Sequence, residues 1–517
     1  MKLTFLRRLL TTMTLLLVIQ GLAVAQGVTT SSMQGKITDT NGEPLIGANI
    51  LAVHQPSGTT YGTSTDLEGN YRIPGMRVGG PYKVSVSYTG YGEVVLENLF
   101  LRLGETQKRD FNLAEAALEL ETIQVTATGG ISGQNAGAST QITSDDIDVM
   151  PTLNRNLNDY VRLTPQASAF GDGTSFAGVN NRYNAIYIDG AVNNDVFGLA
   201  TSGTNGGQTG IAPFSIDIID QFQVVLSPYD VTLGGFAGGG INAVTRSGTN
   251  QFKGTAYYFF QNENLAGKTN GVEADRFRIN RTKLDEFSQN LYGASLGGPI
   301  VKDKVFFFVN AEIQDDETPA PFNIAQYEGN SGTTELNNLR NFLINTYDYD
   351  PGGFGSVADK LEGLKLFGKI DINLNQNNKL TLRHQYTRAE QTSRNVSDNN
   401  EINFSNNGIF FPSVTNSSAL ELNSRFSDKF SNNLILGFTA VRDDRDGFGD
   451  FPYVIIEDGG SNVIEFGTEQ FSTANDLSQD IFTITNNFKW YNGNHTFTIG
   501  THNEFYSIYN LFIPQNY

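Results

Sequence analysis

At 517 residues the chain has room for several domains. Its 55 Gly, 21 Tyr and 36 Phe, with few Leu-rich runs, give the composition of a strand-and-turn protein. A net charge of −19 argues against a nucleic-acid partner, which needs a basic face, and the absence of Cys excludes a disulfide framework, a thiolate nucleophile and a Cys-ligated metal.

The first 25 residues read as a secretory signal peptide. Lys2, Arg7 and Arg8 form its positive end, and Leu9 to Val18 its apolar core. Ala23 and Ala25 fit the small-x-small cleavage pattern, so the mature chain is expected to start near Gln26. The apolar core is shorter than the ~20 residues of a spanning helix. No Cys follows it, which excludes lipidation there, and no later segment approaches ~18 apolar residues. A membrane-embedded mature protein would therefore cross as strands, which satisfy each other's backbone groups.

Residues 26–113 read as a β-sandwich of short strands with turn signals at Asn41-Gly42 and at Asp66, Gly69 and Asn70. The strings GKITDTNGEPLIGANI and TDLEGNY resemble the carboxypeptidase-regulatory-like domain, which is transthyretin-like. The resemblance implies no peptidase activity. The segment has one His, His54, and no Glu/His cluster with zinc spacing.

Residues 114–138 read as a linker, with Gly129, Gly130, Gly133 and Gly137 making it flexible. Within it, Glu121, Thr122, Ile123, Gln124, Val125, Thr126 and Ala127 resemble the energy-coupling box of TonB-dependent receptors. The β-branched residues favour an extended strand, which can add to a partner's sheet edge through main-chain hydrogen bonds. An ordinary linker, or the last strand of the sandwich, is the plainer reading of the same residues.

Residues 139–248 begin with a strand and a helix starting at Ser144, with Asp145 and Asp146 in its first turn. A second helical piece is expected over 153–162, then a strand from Ala185 to Ile188 and a turn at Asp189-Gly190. The segments in this order resemble the plug of TonB-dependent receptors. The matching positions are Arg182, Asp189, Gly190, Gly239, Gly240, Ile241, Asn242, Thr245 and Arg246. Gly234 to Gly240 is rich in glycine, but no Lys-Ser/Thr follows to make a phosphate loop. These glycines are expected to let the backbone pack closely where plug meets barrel.

From 249 to 517 the sequence period becomes two. Leu364, Leu366, Gly368, Ile370, Ile372 and Leu374 share one face, and Lys365, Lys369, Asp371 and Asn373 the other. Short turns at 301–304, 375–378, 427–433 and 491–494 alternate with long polar loops near 261–286, 314–362, 389–417 and 444–478. That is the pattern of a transmembrane β-barrel. About nine strands leave an open edge, whereas a plugged transporter has ~22, so the chain is expected to be cut within the barrel near Tyr517.

The fold class is therefore mainly β: a sandwich, an α+β plug and a partial antiparallel barrel. The resemblance to TonB-dependent outer-membrane receptors covers nearly the whole mature chain, and is nearest the Oar-like branch of Bacteroidetes-type bacteria. It implies uptake of an extracellular ligand, TonB and its inner-membrane energising proteins as partners, a surface lipoprotein and outer-membrane lipid as further ones, and no cofactor. The alternative is an adhesion or interaction protein on the same scaffold that does not transport. An enzyme is not expected. The four His are scattered, with His495 and His502 on opposite faces of one strand, and no H-E-x-x-H, G-x-S-x-G or S-x-x-K constellation is expected. The acidic clusters at 315–317 and 443–444 read as solvated loop charge.

Overall fold

A computed structural model describes residues 27–115, 123–126, 133–134, 139–152, 155–168, 173–227, 230–268, 283–284, 286–493 and 495–513. Its first unit contains β1 (Ser31–Asp39), β2 (Asn49–His54), β3 (Thr59–Ser64), β4 (Asn70–Met76), β5 (Gly79–Ser87), β6 (Val94–Leu101), β7 (Thr106–Lys108) and β8 (Phe111–Leu113). Two further strands, β9 (Ile123–Thr126) and β10 (Gly133–Gln134), add to its sheets. One sheet runs β10-β7-β1-β4 with β8 on β1, the other β3-β2-β5-β6-β9. Alternate residues of both sheets, among them Met33, Ile37, Ile50, Ile73 and Tyr82, meet in one core. Burying each such side chain contributes about 1.5–3 kcal/mol.

His54 is buried in this unit, with its ring 5.0 Å from Tyr82 and Nδ1 2.7 Å from Ser57 Oγ. Burial first, then the charges of Arg77 and Lys379, push its pKa down to about 2. The folded sandwich thus holds His54 neutral, while the unfolded chain protonates below about 6.5. Stability is full above that value and falls as pH drops below it, with a slope approaching 1.4 kcal/mol per pH unit for one proton, roughly. Urea unfolding at pH 7.5 and pH 5 is expected to show this loss in the wild type. His54→Gln should flatten it, and an equal loss in both proteins would refute the assignment.

The plug contains β11 (Ser139–Thr143), β12 (Ala167–Ser168), β13 (Ser175–Phe176), β14 (Ala185–Ile188), β15 (Ala191–Val192), β16 (Ile219–Val225) and β17 (Gly240–Thr245). Its main sheet runs β11-β16-β17-β14-β15. Helix α1 (Ser144–Val149) starts where the sequence predicts, because Thr143 and Asp146 form a capping box. Helix α2 is shorter than expected, Leu157–Val161, since Asn156 with Asp159 caps it late in the segment. Phe222, Ile188, Ile218 and Tyr160 lie in the plug core.

The third unit contains β18 (Lys253–Asn262), β19 (Ser288–Val301), β20 (Val305–Ala320), β21 (Val357–Asn375), β22 (Asn378–Arg394), β23 (Glu401–Asn403), β24 (Gly408–Ser427), β25 (Phe430–Asp444), β26 (Val454–Glu457), β27 (Val463–Phe466), β28 (Asp476–Asn492) and β29 (His495–Leu511). Nine of these form one antiparallel meander, β18-β19-β20-β21-β22-β24-β25-β28-β29, whose edges β18 and β29 do not meet. The expected short turns join the strands at one end. At the other end the strands run further than the sequence suggested. Gln314 to Ala320 pairs with 357–363, and Asp443-Asp444 with 476–477, so both acidic clusters lie in strands rather than loops. Ladder bonds are made by the backbone, and polar side chains do not interrupt them.

The polarity of this sheet is inverted relative to a water-soluble one. Leu366 and Ile370 are 41% and 38% exposed, whereas Lys365 and Lys369 are each 5% exposed. Apolar side chains face outward and charges face the concave side, as lipid outside and a polar lumen require. Beyond the long-strand end, helix α3 (Thr333–Tyr347) packs with β23, β26 and β27 around Leu336, Leu343, Phe404 and Phe466. The connecting loops thus build a small core of their own above the barrel.

Candidate functional site

Where the plug meets the concave face of the barrel, buried charges concentrate. Strands β14 and β15 are joined by Asp189 and Gly190, both with positive φ, 46° and 73°. A Cβ on Gly190 would lie 2.4 Å from Ile435 Cδ1 of the barrel wall and press on that side chain, and the positive φ is what favours glycine there. The turn thrusts the Asp189 carboxylate between two strands of the wall. Lys369 Nζ on β21 lies 3.5 Å from Oδ1, and Arg383 Nε on β22 lies 3.5 Å from Oδ2. Thr245 donates to Asp189 from its backbone N at 2.9 Å and from Oγ1 at 2.6 Å. Lys369 also donates to the Thr245 carbonyl at 3.1 Å, and Arg383 Nη2 to the Ile188 carbonyl at 2.9 Å.

All of these groups are buried. Burial pushes the Asp189 carboxyl up, but Lys369, Arg383 and the Thr245 hydrogen bonds outweigh it and hold the pKa below its ordinary 3.8. The carboxylate is ionised at neutral pH. Asp189 faces both cations, and Arg383 keeps Nε and Nη1 without a hydrogen-bond partner.

A second junction lies along β18, β20 and β21. Glu312 accepts from Lys365 Nζ at 2.8 Å, from Tyr257 at 2.6 Å and from Ser215 of the plug at 2.6 Å. Beside it, Arg155 donates from Nη2 to both carboxylate oxygens of Asp217, each at 2.9 Å, and its guanidinium lies 4.3 Å from the centre of the Phe259 ring of β18. Between the two junctions, Gln385, paired with Phe367, donates to the Pro213 carbonyl at 2.7 Å, and elsewhere on the wall Asp443 accepts from Gln208 at 2.7 Å. The plug is thus tied to the wall by polar contacts at several heights.

The plug-motif residues divide. Asp189, Gly190 and Thr245 form the first junction. Asn242 donates to the Val28 carbonyl, and Arg246 reaches the Ile219 carbonyl at 3.2 Å and Asp148 at 3.3 Å, both within the plug. A Cβ at Gly239 or Gly240 would lie 2.4 Å from Phe176 or 2.6 Å from Phe236. The close packing expected of these glycines is real, but it lies inside the plug, against its own aromatic rings, and not at the barrel. Arg182 is exposed beside Gly198 and joins neither junction. Of the coupling segment, Ile123–Thr126 forms β9, parallel to β6 in the register Val94↔Ile123. Glu121, Thr122 and Ala127 lie outside the described residues, as do Ala23 and Ala25.

The wall partners Lys369, Arg383, Glu312 and Lys365 were missed as site residues. For the cations the signal was present: Lys365 and Lys369, and Lys379 and Arg383, recur four positions apart on strands whose other face is apolar. Among the described residues no three His, Asp or Glu converge as metal ligands. The expected absence of G-x-S-x-G is wrong, because Gly293 to Gly297 spells it. It lies in the middle of β19, with Ser295 Oγ 2.6 Å from Thr255 Oγ1, so it forms no strand-to-helix elbow.

Comparison with known proteins agrees with this architecture. Residues 32–114 match the family described as carboxypeptidase regulatory-like domain, and residues 244–347 the outer membrane beta barrel domain. The TonB-dependent transporter Oar of Myxococcus xanthus is 29% identical over 258 residues, 47% of this chain and 23% of that protein. A probable TonB-dependent siderophore receptor, PirA of Acinetobacter baumannii, is 26% identical over 221 residues, 40% of this chain and 26% of the relative. The chain thus spans about a quarter of the length of these curated relatives. The outer membrane transporter YddB of Escherichia coli aligns at a TM-score of 0.48 and 15% identity, over 72% of this chain and 48% of that one. With a regulatory-like domain and an outer-membrane barrel segment on one chain, the protein is similar over part of its length to the TonB-dependent receptors of the outer membrane.

Proposed function

We propose that the protein is an uptake receptor: it captures a ligand with the loops beyond the long-strand end and passes it inward when TonB, energised at the inner membrane, pulls on Glu121 to Ala127. The observation that carries this reading is the plug itself. It is a folded domain held in the lumen by a buried carboxylate between two cations of the wall. A scaffold that only adheres has no use for a separate, polar-bonded body in its lumen. Polar junctions suit a body that moves, because their bonds can be exchanged for water. The loop-built core around Leu336 and Phe404 provides a stable outer platform for capture.

In the full-length protein, deletion of residues 121–128 is expected to drop binding of the purified carboxy-terminal domain of TonB to background. The amount of receptor at the surface should not change. Undiminished TonB binding would leave the adhesion reading standing.

A further inference from the structure

We propose that the amino-terminal sandwich is a detachable clamp, which fastens the plug to the barrel at the short-turn end and must leave before the plug can move. Only the statement that the plug moves rests on the uptake reading. The docked state stands on contacts.

The sandwich grips both bodies. On the barrel side, Asn373 Nδ2 donates to Thr59 Oγ1 at 3.1 Å, Asn250 N to the Pro56 carbonyl at 2.8 Å, and Arg425 to the Gly62 carbonyl. The Arg72 guanidinium lies 4.9 Å from the Tyr491 ring. On the plug side, Leu103 N donates to Gln221 Oε1 at 3.1 Å, and Gln141 Nε2 to the Leu103 carbonyl at 2.7 Å. Val78 and Leu103 pack on Val244. While one rigid domain holds both, the plug cannot slide along the wall without breaking one set of contacts.

The joint is also built to open. Its buried apolar cluster is small, and a cavity of about 220 Å³ lies between sandwich and barrel turns, with Arg72, Lys379 and Arg425 in its lining. Lys379 Nζ is buried 3.1 Å from the centre of the Tyr61 ring and has no hydrogen-bond partner. Across the same ladder, Asp371 keeps Oδ2 unpartnered as well. Asn373 pairs with Lys379, and Asp371 with Thr381, so Lys379 and Asp371 are diagonal neighbours on the luminal face. A lysine reaches such a neighbour. Docking therefore holds the Lys379 amine against the Tyr61 ring without a hydrogen-bond partner and away from Asp371, and burial of that kind weakens the docked state. When the sandwich leaves, Lys379 turns to Asp371 and the released state gains the ion pair.

The chain contains no Cys, so an engineered pair reports without background. Thr59→Cys with Asn373→Cys in the full-length protein, in outer membranes, is expected to link in most molecules without added oxidant. Ser417→Cys with Thr439→Cys, whose hydroxyls lie 3.1 Å apart within the barrel, is the positive control. Linking is expected to slow amide exchange in β17 by about tenfold relative to the same sample after reduction. Lys379→Met is expected to hold the clamp more tightly, and Tyr61→Ala less. Three results would each overturn the proposal: no link while the control links, equal exchange in both redox states, or Lys379→Met loosening the joint as Tyr61→Ala does. None of these measurements needs TonB or a ligand, so they fail separately from the uptake reading.

Discussion

Asp189→Ala is expected to loosen the plug by about 3–5 kcal/mol, because it leaves two buried cations without their anion. The Thr245 hydroxyl and amide lose their acceptor at the same time. The measurement is the urea concentration at which the plug becomes sensitive to added protease in outer membranes, compared with wild type. The neighbouring substitution provides the contrast. Lys369→Met removes one of the two cations and its bond to the Thr245 carbonyl but leaves Asp189 with Arg383 and Thr245, so its cost is expected to be smaller, about 1–2 kcal/mol. Combining Asp189→Ala with Lys369→Met and Arg383→Met should recover most of the loss, since a buried ion cluster contributes little beyond an apolar replacement of similar volume. Equal effects of Asp189→Ala and Lys369→Met would show that the junction is packing and not charge.

The same junction fixes a direction for acid. The Asp189 pKa is depressed below 3.8, so its contribution is full above that value and is lost only as pH falls through the depressed one. His54 acts in a different window, between about 6.5 and 2, because its shift is also downward but starts from a higher ordinary value. Mild acid is therefore expected to weaken the sandwich first, while the plug junction holds.

Period and punctuation carried most of the fold in the sequence. The two-residue alternation around Leu364 to Leu374 placed the lipid face, and turn residues such as 375–378 placed the hairpins. Glycine at 190 and the capping residues near Ser144 marked places where only local chemistry decides. The upper ends of the strands were not legible, because polar residues such as Asp315 and Asp316 pair through their backbones as readily as apolar ones. The junction was half legible. Asp189, Gly190 and Thr245 stand in a recognisable string, but their partners lie about 125–195 residues away, and only the curvature of the sheet brings them in. The docking of the sandwich was not legible at all, since single bonds from Thr59 or Leu103 leave no periodic trace.

Lys365→Met tests the second junction and is expected to cost about 3 kcal/mol, at the lower end for breaking a buried pair. Glu312 would keep the hydroxyls of Tyr257 and Ser215 as donors, and these soften the loss. Ser215→Ala removes one of those donors and should cost only about 1 kcal/mol. The two variants also differ in what they disturb. Ser215 belongs to the plug, so its loss is expected to raise protease sensitivity of the plug alone. Lys365 and Glu312 belong to adjacent strands of the wall, β21 and β20, so Lys365→Met should lower the urea midpoint of the barrel as well. Adding Glu312→Met to Lys365→Met should restore the barrel midpoint but not the tie to the plug, because Ser215 then keeps only the longer 3.3 Å contact to the Tyr257 hydroxyl on the wall. A double variant that restores both would mean that Ser215 is not a tie, and that the plug is held at this height by Arg155 on Phe259.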